Sequence, residues 1–167
     1  MTSTPKAPEN RDSQAELRPI RYAELSRRDI RSLIFHLLYA AESHEYNTPL
    51  LSIVDSLNRG FDLDIPFECE AVEVARKVIE ERDLLDAQYA GLLANWRPDR
   101  VSVCTKLILR LGLWELLHTD TDSRIVLNEA IELAKCFAED DAYRFVNGLL
   151  DRAVKEGLKK KPENLQS

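Results

Sequence analysis

Three arginines, Arg27, Arg28 and Arg31, cluster within the first turn and a half of a predicted helix. They fall off its apolar face, so the hydrophobic core does not require them. A cation at a helix N-terminus opposes the helix dipole by roughly 0.3 kcal/mol or more, so helix stability does not explain them either. Such runs most often form a solvated charged face. The alternative is a strip of positive charge that holds an anionic ligand.

Side chains suited to catalysis or metal binding occur, but they are not spaced as a recognisable site. His36 and His44 lie eight residues apart on one predicted helix, and His118 lies near the end of another. The chain has no nucleophile turn, no Gly-rich phosphate loop and no H-E-x-x-H motif. Acidic residues cluster between residues 129 and 141 without the Glu-x-x-His motifs of a helical two-metal site. We therefore predict no enzyme activity and no metal or cofactor.

The elements that carry these residues are predicted to be helices, because apolar residues recur every three or four positions. The first helix begins with Ser26 as N-cap and Asp29 three residues later, a short version of the capping box. A second, short helix is predicted to stop at Gly60. Residues 67–96 are helical in pattern almost throughout, and a kink or break at Asp83 to Asp86 is left open, so they form either one helix or two.

The C-terminal half is predicted to contain three more helices. Asp99 is a plausible N-cap for the first of them. Residues 125–154 form two amphipathic helices joined by an acidic elbow at 138–141, whose carboxylates are predicted to cap the last helix. Gly148 interrupts the apolar pattern of that helix, which indicates a close approach of another helix.

Composition is typical of a small cytoplasmic helical protein. The 167 residues are 44% hydrophobic and 31% charged, with only 5 glycines, as expected for one all-α domain. No apolar stretch approaches the ~20 residues that span a membrane. The three cysteines are widely spaced, which indicates a reduced protein without a zinc site. Since the net charge is −6, any nucleic-acid contact must use a local basic patch.

We divide the chain into three parts from its composition. Residues 1–22 are polar and proline-containing, with almost no apolar anchor, and are predicted to be a disordered extension. Residues 23–157 are predicted to form the helical domain. Residues 158–167 are predicted to be a flexible basic and polar tail.

Three sequence blocks together resemble the NusB family of bacterial transcription antitermination factors. The most specific is NEAIELAK at residues 128–135, followed by FVNGLLD at residues 145–151. ILRLGLWEL at residues 108–116 agrees with the family's penultimate long helix, and SRRDIRSLIFHLLYA at residues 26–40 resembles its basic first helix. The resemblance implies a single compact bundle of about seven helices in two subdomains.

The resemblance also implies a function in transcription. Family members bind the boxA element, a short single-stranded RNA, together with the ribosomal protein NusE, and the complex joins RNA polymerase at ribosomal RNA operons. The family holds RNA phosphates with an arginine-rich start of the first helix, which implies this role for Arg27, Arg28 and Arg31. Asp29 interrupts the arginine run and departs from the family's pattern. Lys106 is a further candidate for a phosphate contact.

A second predicted RNA surface lies at the start of the last helix. Phe145 is a candidate platform for a stacked base, with Arg144 beside it and Asp141 able to accept from a base edge. The resemblance aligns Asp141 and Phe145 with family positions at the RNA surface. Phe145 also shares a helix face with Leu149, so a core position is an equal alternative. The resemblance places Tyr39 at the NusE contact, where it would otherwise be a core-edge tyrosine.

Two other functions are compatible with the sequence. NusB-like domains also occur as the RNA-binding half of ribosomal-RNA cytosine methyltransferases, but this chain has no Rossmann-like cofactor region, so the enzyme half would be missing. The net negative charge and Asp29 favour a helical protein-interaction adaptor, or a homodimer, that has no role in RNA binding.

Overall fold

The computed structural model describes residues 21–93 and 97–158, and all regular structure within these residues is helical. The all-α prediction is therefore confirmed. Most of the predicted extension and tail falls in residues 1–20 and 159–167, which lie outside the described residues. The α-helices are α1 (Arg27–Ser43), α2 (Leu50–Phe61), α3 (Glu70–Glu80), α4 (Arg82–Leu92), α5 (Val103–His118), α6 (Ser123–Phe137) and α7 (Ala142–Lys155), and short 3-10 helices cover Tyr22–Glu24 and Pro98–Arg100.

Helix α5 forms the centre of the fold. Every residue from Leu107 to Trp114 is buried, including Arg110, as expected for a helix surrounded by others. Helices α1, α2 and α3 form one mutually packed group, while α4, α6 and α7 pack on α5 in a second group. Helix α1 also packs on α5 and α6 and so joins the two groups. Among the described residues, no helix combines the length and the apolar character needed to cross a lipid bilayer.

Helix α7 approaches α5 closely at a glycine of α5. A Cβ atom at Gly112 would lie 2.9 Å from Cδ1 of the fully buried Leu150, so the position has no room for a side chain. Val146 and Ala153 are buried on the same face of α7. The sequence analysis predicts the close approach at Gly148 instead, and that prediction is wrong. Gly148 is exposed, and among the described residues a Cβ atom there would meet nothing within 4 Å.

Short polar side chains form the start of α1 and the end of α2. Ser26 and Asp29 form the predicted capping box: the Ser26 hydroxyl accepts from the Asp29 N–H, and Asp29 Oδ2 accepts from the Ser26 N–H, each at 3.1 Å. Gly60 lies inside α2, so the prediction that it ends this helix is wrong. Asp62 ends the helix in a left-handed conformation (φ 51°), which aspartate adopts more readily than most residues.

Three further boundaries follow from the local backbone. The region from Glu70 onward that could be one helix or two forms two, because α3 ends and α4 begins on either side of Glu81. The N-cap of α5 is Ser102, whose hydroxyl accepts from a backbone N–H at 3.3 Å. The Asp99 prediction is wrong, since Asp99 lies in the preceding 3-10 helix. Tyr22 is helical although the predicted extension includes it.

Replacing Gly112 with alanine tests the approach of α7 to α5. The added methyl group would force Leu150 out of its packed position, and overpacking of this kind costs ~1–3 kcal/mol. We expect Gly112→Ala to lower the free energy of unfolding in urea by that amount. Gly60→Ala is the matched control, because a Cβ atom at Gly60 meets nothing within 4 Å, and it should raise stability by up to ~1 kcal/mol. Equal stability of the two variants would contradict this packing.

Candidate nucleic-acid interface

Arg27 and Arg28 lie on the surface, and both are paired with carboxylates. Nη1 of Arg27 donates to the two carboxylate oxygens of Glu70 on α3, at 2.7 and 2.8 Å. Arg28 donates to Glu129 on α6 through Nε at 3.2 Å and Nη2 at 3.1 Å. The arginine side chains are 74% and 63% exposed, so solvent screens both pairs and they contribute little to stability. A phosphate group can therefore compete with either carboxylate.

Arg31 is in a different environment from the first two arginines. Its side chain is 12% exposed and that of Glu115 on α5 is 13% exposed, with Nε of Arg31 donating to Oε1 at 3.0 Å. Burial raises the pKa of Glu115, and the charge of Arg31 opposes that rise. Because an unpaired buried carboxylate is costly, Arg31 contributes to the stability of the fold. Its contact with RNA stays a prediction.

A cleft of about 390 Å³ connects these ion pairs. Arg27 and Arg31 line it together with Glu70, Glu115 and Glu129, which come from α3, α5 and α6. The three arginines at the start of α1 are thus balanced by three carboxylates and do not form unopposed positive charge. In the described part of the chain, neither these carboxylates nor other His, Cys, Asp or Glu side chains form a group that could hold a metal ion.

A second concave surface, the α7 groove, contains the remaining residues predicted at the last helix. Asp141, Arg144 and Phe145 have the i, i+3 and i+4 spacing of neighbours on one helix face. All three line a groove of about 530 Å³ between α7 and the C-terminal end of α4. The structure therefore brings these three predicted residues together. The full lining consists of Leu92, Leu93, Asp141, Arg144, Phe145, Gly148, Leu149 and Arg152.

Asp141 has an uncommon backbone conformation for a residue at a helix start. Its φ is 66°, in the left-handed region, and its side chain makes no capping hydrogen bond. The prediction that the elbow carboxylates cap α7 is therefore wrong for Asp141. Glu139, from the same elbow, accepts instead from the Ser102 hydroxyl at 2.7 Å, at the start of α5. The Asp141 carboxylate is 77% exposed and lies 3.9 Å from Nε of Arg144, so a ligand in the groove can reach it.

The position of Phe145 is compatible with both predictions made for it. Its side chain is half-buried, packs against the hydrophobic core and also lines the α7 groove. A ring that the core holds in place gives a ligand a flat surface already fixed in position. Arg144, next to it, donates from Nε to the Tyr143 hydroxyl at 3.1 Å, and this bond raises the pKa of Arg144. The groove therefore offers a fixed ring and a permanent cation side by side.

Lys106 lies in a partly buried network and not in either concave surface. Its Nζ donates to Glu42 at 2.6 Å, and Glu42 also accepts from Arg110 and Tyr46. Burial alone would raise the pKa of Glu42, but the hydrogen bonds from Lys106 and Tyr46 lower it to about 2. Arg110 pairs mainly with Asp86, at 2.6 Å through two nitrogens.

Tyr39 is the exposed end of an aromatic cluster between α1 and α6. Its side chain is 46% exposed, and its ring centroid lies 6.3 Å from that of the buried Phe35. Phe35 stacks on Phe137 of α6 at 4.6 Å, and His36 meets the same ring edge-on at 5.0 Å. An exposed aromatic side chain supported by buried neighbours suits an interface anchor. The contact of Tyr39 with a protein partner stays a prediction.

The sequence analysis misses two residues of the α7 groove. Gly148 and Arg152 both line it, and Nη1 of Arg152 donates to the Leu92 carbonyl at 3.0 Å. Both continue the spacing of three and four residues that begins at Asp141 and Arg144. An analysis that treated residues 141–152 as one helix face would therefore have identified them. The missing information is the position of α4, which forms the opposite wall.

The fold and these two surfaces define a class: a small all-helical binding protein. The NusB family model matches residues 28–155, well over half of the chain. The chain therefore belongs to the NusB family.

The similar proteins agree with this membership. The transcription antitermination protein NusB of Staphylococcus epidermidis is 34% identical over 127 residues, which are 75% of this chain and 96% of that protein. The corresponding protein of Campylobacter lari is 36% identical over 137 residues, which are 78% of this chain and 97% of that protein. Both relatives are antitermination factors and not enzymes, in agreement with the sequence analysis.

Solved structures agree on the fold. T. maritima NusB superimposes with a TM-score of 0.69 at 29% sequence identity, covering 83% of this chain and 95% of that one. A chain in the crystal structure of a plectonemic RNA supercoil shares the fold, with a TM-score of 0.67 at 21% identity over 78% of this chain and 94% of that one. The predicted NusB-like helical fold is thereby confirmed.

The variant Arg31→Ala tests the buried ion pair with Glu115. Removing the guanidinium leaves a buried carboxylate without its cation, which costs ~3–5 kcal/mol near neutral pH. A carboxyl group whose pKa is raised on folding favours the folded state most at low pH and loses that advantage as the pH rises. Burial raises the pKa of Glu115. Urea unfolding should therefore show that the destabilisation of Arg31→Ala shrinks as the pH is lowered and Glu115 takes up a proton.

The control for this measurement is the double variant Arg31→Ala/Glu115→Gln. Glutamine cannot titrate, so the stability difference between this double variant and the single variant Glu115→Gln should be the same at neutral and mildly acidic pH. A pH-independent destabilisation of Arg31→Ala alone would show that the buried charge of Glu115 is not the cause.

Proposed function

We propose that this chain binds boxA-type single-stranded RNA together with the ribosomal protein NusE. In this proposal the complex acts in the cytoplasm, where it joins RNA polymerase during transcription of ribosomal RNA operons. Membership of the NusB family supports it. The observation that carries it is the α7 groove, where Asp141, Arg144 and Phe145 line one cavity. Single-stranded RNA requires this combination of charge for the backbone, a flat face for a base and an acceptor for a base edge.

Each predicted residue receives a role from its surroundings. A base stacks on Phe145, the Arg144 guanidinium binds a neighbouring phosphate, and Asp141 accepts from an N–H of the base edge. Arg27 and Arg28, whose own side chains are exposed, bind further phosphates in exchange for Glu70 and Glu129. The Arg31 and Lys106 side chains are largely buried beside their carboxylate partners, and in this proposal they contribute less. Because each arginine exchanges a carboxylate for an RNA phosphate, a protein with a net negative charge can still bind RNA.

The proposed contact with NusE is centred on Tyr39. The ring is exposed and lies beside buried Phe35, which itself stacks on Phe137. Rigid support of this kind reduces the entropy lost when a partner covers the ring. The partner surface expected here is apolar at its centre, since aromatic anchors fill desolvated pockets.

A second candidate function is a protein adaptor or homodimer that does not bind RNA. The net charge of −6 and the carboxylate partners of all three α1 arginines favour it. A titration of boxA-type RNA with and without NusE, at two salt concentrations, separates the candidates. Tighter, salt-sensitive binding by the two proteins together supports the RNA role. A NusE complex that forms equally well without RNA and takes up no RNA supports the adaptor.

The variants Phe145→Ala and Phe145→Leu test base stacking in the α7 groove. One stacked base contributes ~1–3 kcal/mol, so we expect boxA-type RNA to bind at least ~5-fold more weakly to either variant. Leucine keeps the apolar contact with the core but lacks a flat ring, which separates stacking from folding. Fluorescence anisotropy with a labelled RNA measures the affinity.

Phe61→Ala is the matched control for these variants. Phe61 is the most exposed phenylalanine among the described residues, at 72%, and it lies at the end of α2, outside the α7 groove. Its replacement should leave RNA affinity unchanged. Equal RNA affinities for Phe145→Leu, Phe61→Ala and the wild type would exclude stacking on Phe145.

The double variant Arg27→Ala/Arg28→Ala tests the phosphate contacts of α1. Each lost contact to a single strand reduces the slope of log affinity against log salt by ~0.7, so the double variant should lose ~1.4. Glu70→Gln should act in the opposite direction and strengthen binding, because it removes the carboxylate that competes with RNA for Arg27.

The charge-matched control is Arg59→Ala/Arg76→Ala. These arginines also pair with exposed carboxylates, but they lie on α2 and α3. The control removes the same charge and should keep most of the salt slope. Identical slopes for the two double variants would attribute the effect to net charge and contradict a specific role of Arg27 and Arg28.

A further inference from the structure

Gly148 lies in the interior of α7 without a packing reason. It is exposed, and a Cβ atom built on it would meet no atom of residues 21–93 or 97–158 within 4 Å. Glycine inside a helix is less favourable than alanine, because it loses more conformational freedom on folding. Gly112 shows the contrasting case, where the side chain of Leu150 occupies the space of a Cβ atom. The fold therefore requires a glycine at 112 but not at 148.

The position of Gly148 in the α7 groove suggests what it does instead. Phe145 precedes it by three residues, so its ring is a neighbour on the same helix face. Arg144 and Arg152 lie four residues before and after it, ~6 Å away along the helix axis on either side. All four residues line the groove. The missing side chain exposes the backbone of α7 next to an aromatic ring and between two cations.

Contacts with the protein orient Arg152 at the edge of the groove. Nη1 donates to the Leu92 carbonyl at 3.0 Å, and Nε donates to Oε1 of Glu156 at 2.8 Å. These contacts use two of the five N–H donors of the guanidinium group. The remaining donors can bind a phosphate without loss of either contact.

Resting on the proposed function, we propose that Gly148 is the floor of a nucleobase subsite in the α7 groove. One base of a single-stranded RNA stacks on Phe145 and lies in van der Waals contact with the backbone at Gly148. Arg144 and Arg152 bind phosphates on its two sides. A methyl group at position 148 would occupy the space of the base. Gly148 thus lowers the stability of the free protein and makes room for the ligand.

Alanine and glutamine at position 148 test the subsite in the full chain. We expect Gly148→Ala to raise the midpoint of thermal unfolding and to weaken binding of a boxA-type RNA oligonucleotide by at least ~5-fold, the lower limit for one lost base stack. Gly148→Gln, with a longer side chain, should weaken binding further. Gly60→Ala is the matched control, since a Cβ atom at Gly60 also meets nothing within 4 Å. It should leave RNA affinity unchanged.

Phe145→Leu in the same titration separates this inference from the proposed function. If Phe145→Leu weakens binding but both Gly148 variants bind like the wild type, the subsite at Gly148 is overturned while RNA binding in the groove stands. If Phe145→Leu also binds like the wild type, stacking in the groove fails together with the subsite. A lower unfolding midpoint for Gly148→Ala would overturn the premise that packing does not require glycine there.

Discussion

The close contact between α5 and α7 at Gly112 and Leu150 determines which residues of α7 face outward. Leu150, Val146 and Ala153 are fully buried, so this face of the helix cannot rotate away from the core without exposing them. The stripe from 141 to 152 is left to form one wall of the α7 groove, with the end of α4 as the other. The geometry of the candidate site therefore depends on how the opposite, buried face of α7 packs against the core.

Electrostatics limits what the surface can bind. The chain has a net charge of −6, and each of the three arginines at the start of α1 has a carboxylate partner from another helix. An RNA phosphate must replace such a partner, so the net gain is smaller than for an unpaired arginine. Arg27 pairs with an exposed carboxylate and can exchange it at low cost, whereas Arg28 would leave the half-buried Glu129 and Arg31 the buried Glu115. This arrangement agrees with the proposal that RNA is bound jointly with a second protein.

The all-helical fold could be predicted from the sequence because apolar periodicity reports directly on helix faces. The capping box at Ser26 was predictable for the same reason, since its residues are neighbours in the chain. The partners of Arg27, Arg28 and Arg31 were not, because they lie 43, 101 and 84 residues away. The glycine predictions failed similarly: whether Gly148 meets another helix depends on tertiary packing, which local sequence does not contain.

Backbone NMR during an RNA titration tests the central claim most directly. The α7 groove is predicted to bind a base of boxA-type RNA in the presence of NusE. The amide signals of residues 141–152, including the exposed Gly148, should then shift in proportion to bound RNA. The signals of α2, on which Phe61 serves as control, should stay in place. Shifts confined to other helices, with residues 141–152 unchanged at saturating RNA, would contradict the account.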